Sequence, residues 1–247
     1  MPEDHFGEAV AARYDETSAA MFEPAVVDPA VDFLAALAGD GAALELGIGT
    51  GRIAIPLARR GVRVHGIELS EAMAARLLAK PEAEGIEVTI GDFATAGAGG
   101  GFTVAYLVFN TIMNLTTQDQ QVACFQNVAA QLEPGGRFVI EVMVPDLQRL
   151  PPGETVRPFE VRPDKVGIDE YDVAAQRLVS HHYEVVDGRL EVGSVPFRYV
   201  WPSELDLMAR LADMTLRERW STWHRDPFTS ASRSHISVWQ RPPRPPG

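Results

Sequence analysis

Several features that define other protein classes are missing from this chain of 247 residues. Cys124 is its single cysteine, which excludes an internal disulfide and suits a reducing, cytoplasmic compartment. No apolar run approaches the length of a membrane-spanning helix. The N-terminus also lacks a positive segment followed by an apolar one. We therefore expect a cytoplasmic protein without a signal peptide or a membrane partner.

Positive charge is scarce as well. The chain has 22 Lys and Arg against 34 Asp and Glu, a formal net charge of −12, and residues 1–150 hold 20 of the acidic side chains. An enzyme that acts on DNA or RNA needs a basic surface to neutralise phosphates, and no such cluster is present. Cysteine and histidine are likewise not grouped at the spacing of metal ligands. We expect neither a nucleic-acid partner nor a metal ion.

Three alternate glycines follow an acidic residue in the segment Glu45-Leu46-Gly47-Ile48-Gly49-Thr50-Gly51. A short apolar strand precedes this segment and a helix-like stretch begins at Ile53. Glycine lets the backbone turn sharply and approach a ligand closely. About 20 residues later a second strand ends in Glu68, where an acidic side chain can accept hydrogen bonds from ribose hydroxyls. The pattern predicts a cofactor that contains a nucleoside, bound to a doubly wound α/β sheet.

The glycine spacing separates two kinds of cofactor. The dinucleotide fingerprint would place its third glycine at position 52, where Arg52 stands; here the glycine comes one residue early, at Gly51. A nicotinamide-dependent oxidoreductase is thus the weaker alternative, and the chain has no Tyr-x-x-x-Lys pair to support it. A third interpretation is a catalytically silent protein that only binds the cofactor, against which the intact Glu68 and Asp92 argue.

Further segments follow the glycine loop in a fixed order. They are a helix with Ser70 as its N-cap, a strand ending in Gly91-Asp92-Phe93, an apolar strand ending in Asn110, and Leu132-Glu133-Pro134-Gly135-Gly136 before a fifth strand. Together with the glycine loop, these segments resemble the class I S-adenosylmethionine-dependent methyltransferases over about residues 10–145.

The resemblance implies S-adenosylmethionine as the cofactor and assigns roles to particular residues. Glu45 is expected to position the methionine end, Glu68 the ribose, and Asp92 the adenine amino group. Tyr14 matches an N-terminal tyrosine that caps the cofactor in related enzymes. The complete set of expected cofactor-binding residues is Tyr14, Glu45, Gly47, Gly49, Gly51, Glu68, Leu69, Met73, Asp92, Phe93 and Asn110.

After Pro145 the sequence pattern changes to antiparallel β-structure. Asp187-Gly188 between two β-prone runs predicts a hairpin, and Phe197–Trp201 predicts a further strand. Leu216–Trp223 and His235–Trp239 predict the antiparallel pair that closes the sheet of a methyltransferase. The expected fold is α/β, with a Rossmann-like, doubly wound, seven-stranded methyltransferase sheet and an antiparallel β insertion after strand five.

These patterns divide the chain into three parts. Residues 1–146 and 201–241 are expected to form the cofactor-binding core, and residues 242–247 a disordered proline-rich tail. Residues 147–200 are expected to form a lid over the carboxyl edge of the sheet and to supply much of the acceptor pocket.

A similar insertion occurs in bacterial small-molecule N- and O-methyltransferases of secondary metabolism, including amino-sugar N,N-dimethyltransferases. The resemblance therefore implies transfer of a methyl group to a nitrogen or oxygen of a small molecule by in-line displacement. The residues after Asn110 lack the Asn-Pro-Pro-aromatic signature of base-methylating enzymes. The acceptor, the accepting atom, the number of methyl groups and the oligomeric state, a homodimer included, stay open.

Two histidines are candidates for a general base. The hairpin alternation places His181 on an apolar face with Val179 and Tyr183, which predicts that His181 points inward and His182 outward. His224 follows the strand Leu216–Trp223 and is expected over the same edge of the sheet. Either imidazole could take a proton from the acceptor, whereas an amine that is already neutral needs no base.

Overall fold

The computed structural model describes residues 7–186 and 188–244. The N-terminal residues 1–6, the hairpin residue Asp187 and residues 245–247 of the expected tail lie outside this description. Of the remaining tail, Pro242 lies beside the entry to the fifth strand, where its carbonyl accepts a hydrogen bond from the Gly135 N–H at 3.2 Å.

A seven-stranded sheet in the order β10-β11-β5-β4-β1-β2-β3 forms the centre of the molecule. Its strands are β1 (Ala42–Leu46), β2 (Arg63–Glu68), β3 (Glu87–Ile90), β4 (Phe102–Leu107), β5 (Leu132–Met143), β10 (Thr215–Trp220) and β11 (Ser234–Gln240). The first five strands pair in parallel, whereas β11 pairs antiparallel with both β5 and β10. The expected fold class is confirmed.

Helices cover both faces of this sheet. They are α1 (Glu8–Thr17), α2 (Pro24–Ala38), α3 (Ala54–Arg59), α4 (Glu71–Leu78), α5 (Gln118–Gln131) and α6 (Pro202–Leu211). Residues of α2 and α3 pack in one apolar cluster, and residues of α5 and α6 pack in another on the opposite face. Ser70 caps α4 as expected, because its Oγ accepts a hydrogen bond from the Met73 N–H at 3.4 Å. Parallel strands buried on both faces explain the nearly continuous apolar runs of the sequence.

A second, antiparallel sheet lies between β5 and α6 in the chain. It contains β6 (Val156–Arg162), β7 (Lys165–Asp172), β8 (Arg177–Val186) and β9 (Arg189–Arg198), in that order across the sheet. The expected hairpin is present, since Val186 pairs with Arg189. The separate strand expected at Phe197–Trp201 is wrong, because β9 continues unbroken to Arg198 and the next residues lead into α6.

The orientation expected for this hairpin is also wrong. Leu178 and Ser180 are buried, whereas Val185 on the alternate face is 48% exposed. We call the side of the second sheet that contacts the core its inner face. This face carries Asp169, Tyr171, Leu178, Ser180, His182 and Phe197. The outer face carries Val179, His181, Tyr183 and Val185. His182 therefore points inward and His181 outward, because Leu178 and Ser180, the buried residues of β8, lie on the His182 side of the strand.

A buried polar network attaches the second sheet to the core. Arg198, at the end of β9, is 5% exposed and donates hydrogen bonds to Glu204 on α6 at 2.7 Å and to Gln121 on α5 at 2.5 Å. Gln121 donates in turn to the carbonyl of Ile112, which lies just after β4. Asp146, shortly after β5, pairs with Arg157 on β6 at 2.7 Å. The second sheet is thus attached beside the carboxyl ends of β4 and β5.

Candidate active site

The glycine loop, residues 47–51, turns tightly between β1 and α3. Gly47 and Gly51 adopt φ values of 70° and 87°, a left-handed conformation that favours glycine. A Cβ atom on Gly51 would lie 2.4 Å from Leu77 Cδ1, and one on Gly47 would lie 2.9 Å from Thr111 Cγ2. The loop therefore passes between α4 and the segment after β4 with little room for a side chain at Gly47 or Gly51, which suits a close-fitting cradle for a ligand.

Glu68 fixes the conformation of this loop. Its carboxylate is buried at the end of β2, where Oε2 accepts a hydrogen bond from the Gly49 N–H at 2.7 Å and Oε1 accepts one from the Ser70 N–H at 2.9 Å. The residue expected to bind ribose thus also joins the glycine loop to the start of α4. The sequence pattern indicated the position of Glu68 but not these two backbone contacts.

Glu45 is a buried acid at the end of β1. It is 4% exposed, and the Tyr106 hydroxyl donates a hydrogen bond to its Oε2 at 2.9 Å. Burial raises the pKa of Glu45 to about 8, against the opposing effects of the Tyr106 hydrogen bond and of the positive charge on Arg52. At neutral pH this carboxyl is therefore mostly protonated when no ligand is bound.

We predict that cofactor binding releases a proton from Glu45. If this carboxyl receives the positively charged amino group of the methionine end, its ionised form is stabilised and its pKa falls from about 8. Titration calorimetry with S-adenosylhomocysteine at about pH 7, in buffers of different ionisation enthalpy, should show release of close to one proton. The release should decrease as the pH rises above 8, where Glu45 is already ionised. Glu45→Gln should abolish it, and an unchanged release in that variant would place its source elsewhere.

The residues expected around adenine come from three elements beside the glycine loop. Asp92 follows β3, and its Oδ1 accepts a hydrogen bond from the Ala94 N–H at 2.9 Å. Phe93 is buried in the core. Met73 is buried on α4, with its Cε 3.5 Å from the place that a Cβ on Gly49 would take. Leu69 is half-buried between β2 and α4. The fold thus collects residues distant in sequence on both sides of the loop.

Polar contacts join helix α1 to the glycine loop and to Lys80, which follows α4. Asp15 accepts a hydrogen bond from the Thr50 hydroxyl at 2.5 Å and pairs with Lys80 Nζ at 2.6 Å. Lys80 also donates to the Thr50 carbonyl at 2.8 Å. The neighbouring Tyr14 is half-buried; burial raises the pKa of its hydroxyl, while the positive charge of Arg52 lowers it. These contacts among Asp15, Thr50 and Lys80 were not predicted from the sequence. The scarcity of lysine, with Lys80 one of only two in the chain, was a signal that could have drawn attention to this residue.

The carboxyl end of β4 has an unusual backbone. Phe109 and Asn110 have φ values of 55° and 63° although neither is glycine. Glu141 on β5 accepts hydrogen bonds from the Phe109 N–H at 2.9 Å and from the Trp223 indole N–H at 3.0 Å, and Asn110 Oδ1 accepts one from the Met143 N–H at 2.7 Å. Phe109 is 50% exposed, and the guanidinium carbon of Arg52 lies 5.3 Å from the centroid of its ring. Phe109 and Glu141 are further site candidates that sequence reasoning missed.

The two candidate histidines, His181 and His224, and the neighbouring His182 occupy different surroundings. His181 lies on the outer face, with Nδ1 2.8 Å from Ser194 Oγ and Nε2 3.2 Å from Glu170 Oε2. His182 lies on the inner face, and burial lowers its pKa. His224 is exposed in the loop after β10. Within the described part of the chain, no hydrogen bond or ring contact joins His181 or His224 to the glycine loop.

Residues 7–186 and 188–244 contain neither a metal-binding cluster nor a membrane-spanning helix. In this part of the chain no group of three or more His, Cys, Asp or Glu is arranged to hold a metal ion. No helix there combines the length and hydrophobicity that crossing a membrane requires.

Comparisons with known proteins match the chain over most of its length. A family model described as a methyltransferase domain matches residues 43–136. The cypemycin N-terminal methyltransferase of a Streptomyces species is 26% identical over 203 residues, which cover 80% of this chain and 82% of that protein.

Solved structures extend the likeness. The CcbJ methyltransferase from Streptomyces caelestis is 38% identical, with a TM-score of 0.79 and coverage of 87% of this chain and 88% of that one. An amino pentose methyltransferase from Micromonospora echinaspora, solved with S-adenosylmethionine bound and involved in calicheamicin biosynthesis, is 22% identical. It covers 87% of this chain and 90% of that one with a TM-score of 0.66, which shows the same fold.

Proposed function

Because the chain belongs to the class I S-adenosylmethionine-dependent methyltransferases of the secondary-metabolism type, we propose that it methylates a small-molecule acceptor at an amine nitrogen. The observation that carries the choice of nitrogen is that one similar protein is named an N-terminal methyltransferase and another an amino pentose methyltransferase, and both names denote acceptors that carry an amine. An oxygen acceptor is the alternative to be separated by experiment. The oxidoreductase and silent-scaffold interpretations are not favoured, since the family match spans the glycine loop, Glu68 and Asp92.

The cofactor supplies a methyl group on a positively charged sulfur, which is already a strong electrophile. In the proposed site the glycine loop and Glu45 hold the methionine end and Glu68 holds the ribose. Asp92, Phe93, Leu69 and Met73 surround the adenine, Tyr14 caps the cofactor, and Asn110 lines the site. The protein's main contribution to an in-line displacement is to align the acceptor nitrogen and to exclude water.

We further propose that residues 147–200 form the lid over this site, with residues 1–146 and 201–241 as the core. Support comes from the two attachments of the second sheet, through Arg198 and Asp146, beside the carboxyl ends of β4 and β5. Open α/β sheets bind their ligands outside the carboxyl ends of the strands. The lid would therefore place its inner face toward the acceptor.

The proposed activity is tested with S-adenosylmethionine labelled in its methyl group. The acceptor panel contains an amino pentoside, an amino hexoside and a short peptide with a free N-terminus, each beside an analogue with hydroxyl in place of amine. We expect label in at least one amine and in none of the hydroxyl analogues. Label in the hydroxyl analogues alone would contradict the nitrogen assignment and leave the methyltransferase family unaffected.

A general-base role for His181 or His224 stays a prediction. If the acceptor enters as a protonated amine, His181→Ala or His224→Ala should lower kcat by roughly 10²-fold while the affinity for S-adenosylhomocysteine stays the same. His182→Ala belongs in the same series, because His182 and not His181 lies on the inner face. If only His182→Ala lowers kcat, His182 is the general base and not His181 or His224. Full activity of all three variants would favour an amine that is already neutral when it binds.

A further inference from the structure

We propose that Asp169, on the inner face of the second sheet, is the counter-ion that binds a positively charged acceptor. The inference rests on the proposed function and names the side chain that selects for a protonated amine over a neutral alcohol. It concerns acceptor binding and is independent of which group removes the proton before transfer.

The position of Asp169 is central on the inner face. Asp169 lies on β7, opposite Ser180 on β8 and opposite Arg157 on β6. On one side of it the inner face is buried in the core through Tyr171 and Leu178. On the other side it continues to His182, whose ring lies 5.4 Å from that of Phe159. Asp169 thus lies at the boundary between the part of the inner face that packs on the core and the part that is less buried.

The neighbouring charges on this side of the sheet are balanced by one another. Arg157 pairs with Asp146 at 2.7 Å, and Lys165 pairs with Glu160 at 3.5 Å. Asp169 instead accepts a hydrogen bond from the neutral Ser180 hydroxyl at 2.7 Å. In the described part of the chain no Lys, Arg or His forms an ion pair with Asp169. Asp169 is therefore a half-buried carboxylate on this face without an ion-pair partner among the described residues, and the nearest cation across the strands, Arg157, is paired with Asp146.

Partial burial makes the ionised form of Asp169 energetically unfavourable without a partner cation. Loss of hydration raises the pKa of the half-buried Asp169 carboxyl, while hydrogen bonds from Ser180 and Tyr171 and the charges of His182 and Arg157 act in the opposite direction. A buried charge is stabilised when a cation with hydrogen-bond donors lies against it. An ammonium group of a ligand would supply both the charge and the donors.

His182 does not fill this role at neutral pH. Burial lowers the pKa of its imidazole, and Lys165 lowers it further against the opposing effects of Asp169, Glu160 and Glu184. The ring is therefore neutral and does not compete with an ammonium for Asp169. A sheet face that carries the half-buried carboxylate of Asp169 without an ion-pair partner, attached beside the carboxyl ends of β4 and β5, fits a small molecule that carries a protonated amine.

The test compares Asp169→Asn with Glu170→Gln. Asparagine keeps the shape of aspartate and removes its charge, whereas Glu170 is the next residue of β7, lies on the opposite face and is 55% exposed by its side chain. The substrate is the amine of the panel above with the highest turnover in the wild-type enzyme. Asp169→Asn should raise the KM for this amine tenfold or more, with kcat and S-adenosylhomocysteine affinity within about twofold of wild type. Glu170→Gln should leave the KM unchanged.

The remaining outcomes separate the inference from the function on which it rests. An unchanged KM in Asp169→Asn, or an equal rise in Glu170→Gln, overturns the counter-ion while amine methylation stands. A wild-type enzyme that methylates no amine of the panel overturns both. Asp169→Ser serves as the second variant: if it binds S-adenosylhomocysteine normally, it must show the same rise in KM as Asp169→Asn.

Discussion

Replacing Glu68 with alanine is expected to weaken S-adenosylhomocysteine binding by about 100-fold or more. The carboxylate accepts hydrogen bonds from the backbone N–H groups of Gly49 and Ser70 and is proposed to accept others from the ribose. Hydrogen bonds to a charged group contribute about 1.5–3 kcal/mol each, so the loss of two corresponds to roughly 100-fold or more in affinity. Because the variant lacks the hydrogen bond between Glu68 and the Gly49 N–H, its glycine loop must also become ordered when the ligand binds, which lowers the affinity further.

Titration calorimetry with S-adenosylhomocysteine measures this effect directly. Glu71→Ala is the matched control, because it removes an exposed carboxylate only three residues along the chain, in the first turn of α4. We expect near wild-type affinity for Glu71→Ala. An equal loss in both variants would point to net charge as the cause, and an unchanged affinity in Glu68→Ala would mean that the ribose is held by other residues.

Replacing Arg198 with leucine is expected to lower the free energy of unfolding by about 3–5 kcal/mol, the usual effect of breaking a buried ion pair. Arg198 is 5% exposed and pairs with Glu204 at 2.7 Å. Burial by itself raises the pKa of Glu204, but hydrogen bonds from Gln176, Arg198 and Gln118 lower it overall. In the variant Glu204, whose side chain is only 14% exposed, keeps its hydrogen bonds from Gln176 and Gln118 but loses its cation.

Urea unfolding at neutral pH checks this prediction. Arg177→Leu is the control, because Arg177 faces Arg198 across β8 and β9 but is exposed. The double variant Arg198→Leu with Glu204→Leu should recover most of the loss, since it leaves no unpaired charge. In the wild type the lowered pKa of Glu204 contributes stability above its unfolded pKa, which is lost as the pH falls. A loss of similar size in Arg177→Leu would contradict a specific role for the buried pair.

The insertion shows where sequence patterns stop being informative. Strand β6 was not predicted, because Pro158 and a bulge before Glu160 interrupt the alternation on which strand prediction depends. Its partner β7 was not predicted either. The hairpin of β8 and β9 was predicted, but its orientation was reversed. Alternation shows which residues share a face; it does not show which face meets the rest of the protein.

The cofactor site behaves differently, because most of its signals are local. The glycine spacing, the N-cap Ser70 and the acidic residues at strand ends each specify a turn or a cap within a few residues, and the structure has them at the predicted elements. The contacts that join these elements were not predictable. Asp15 with Lys80 and Glu141 with Trp223 connect residues 65 and 82 positions apart, and nothing in either local segment indicates its partner.

The sequence by itself therefore determined the family, the fold class and the order of the elements around the cofactor. These follow from short-range stereochemistry, such as glycine at positive φ and a hydroxyl at the start of a helix. Only the tertiary structure decided that His182 and Asp169, and not His181, lie on the inner face of the second sheet. Burial and charge balance there depend on packing between segments far apart in the chain, which no local pattern encodes.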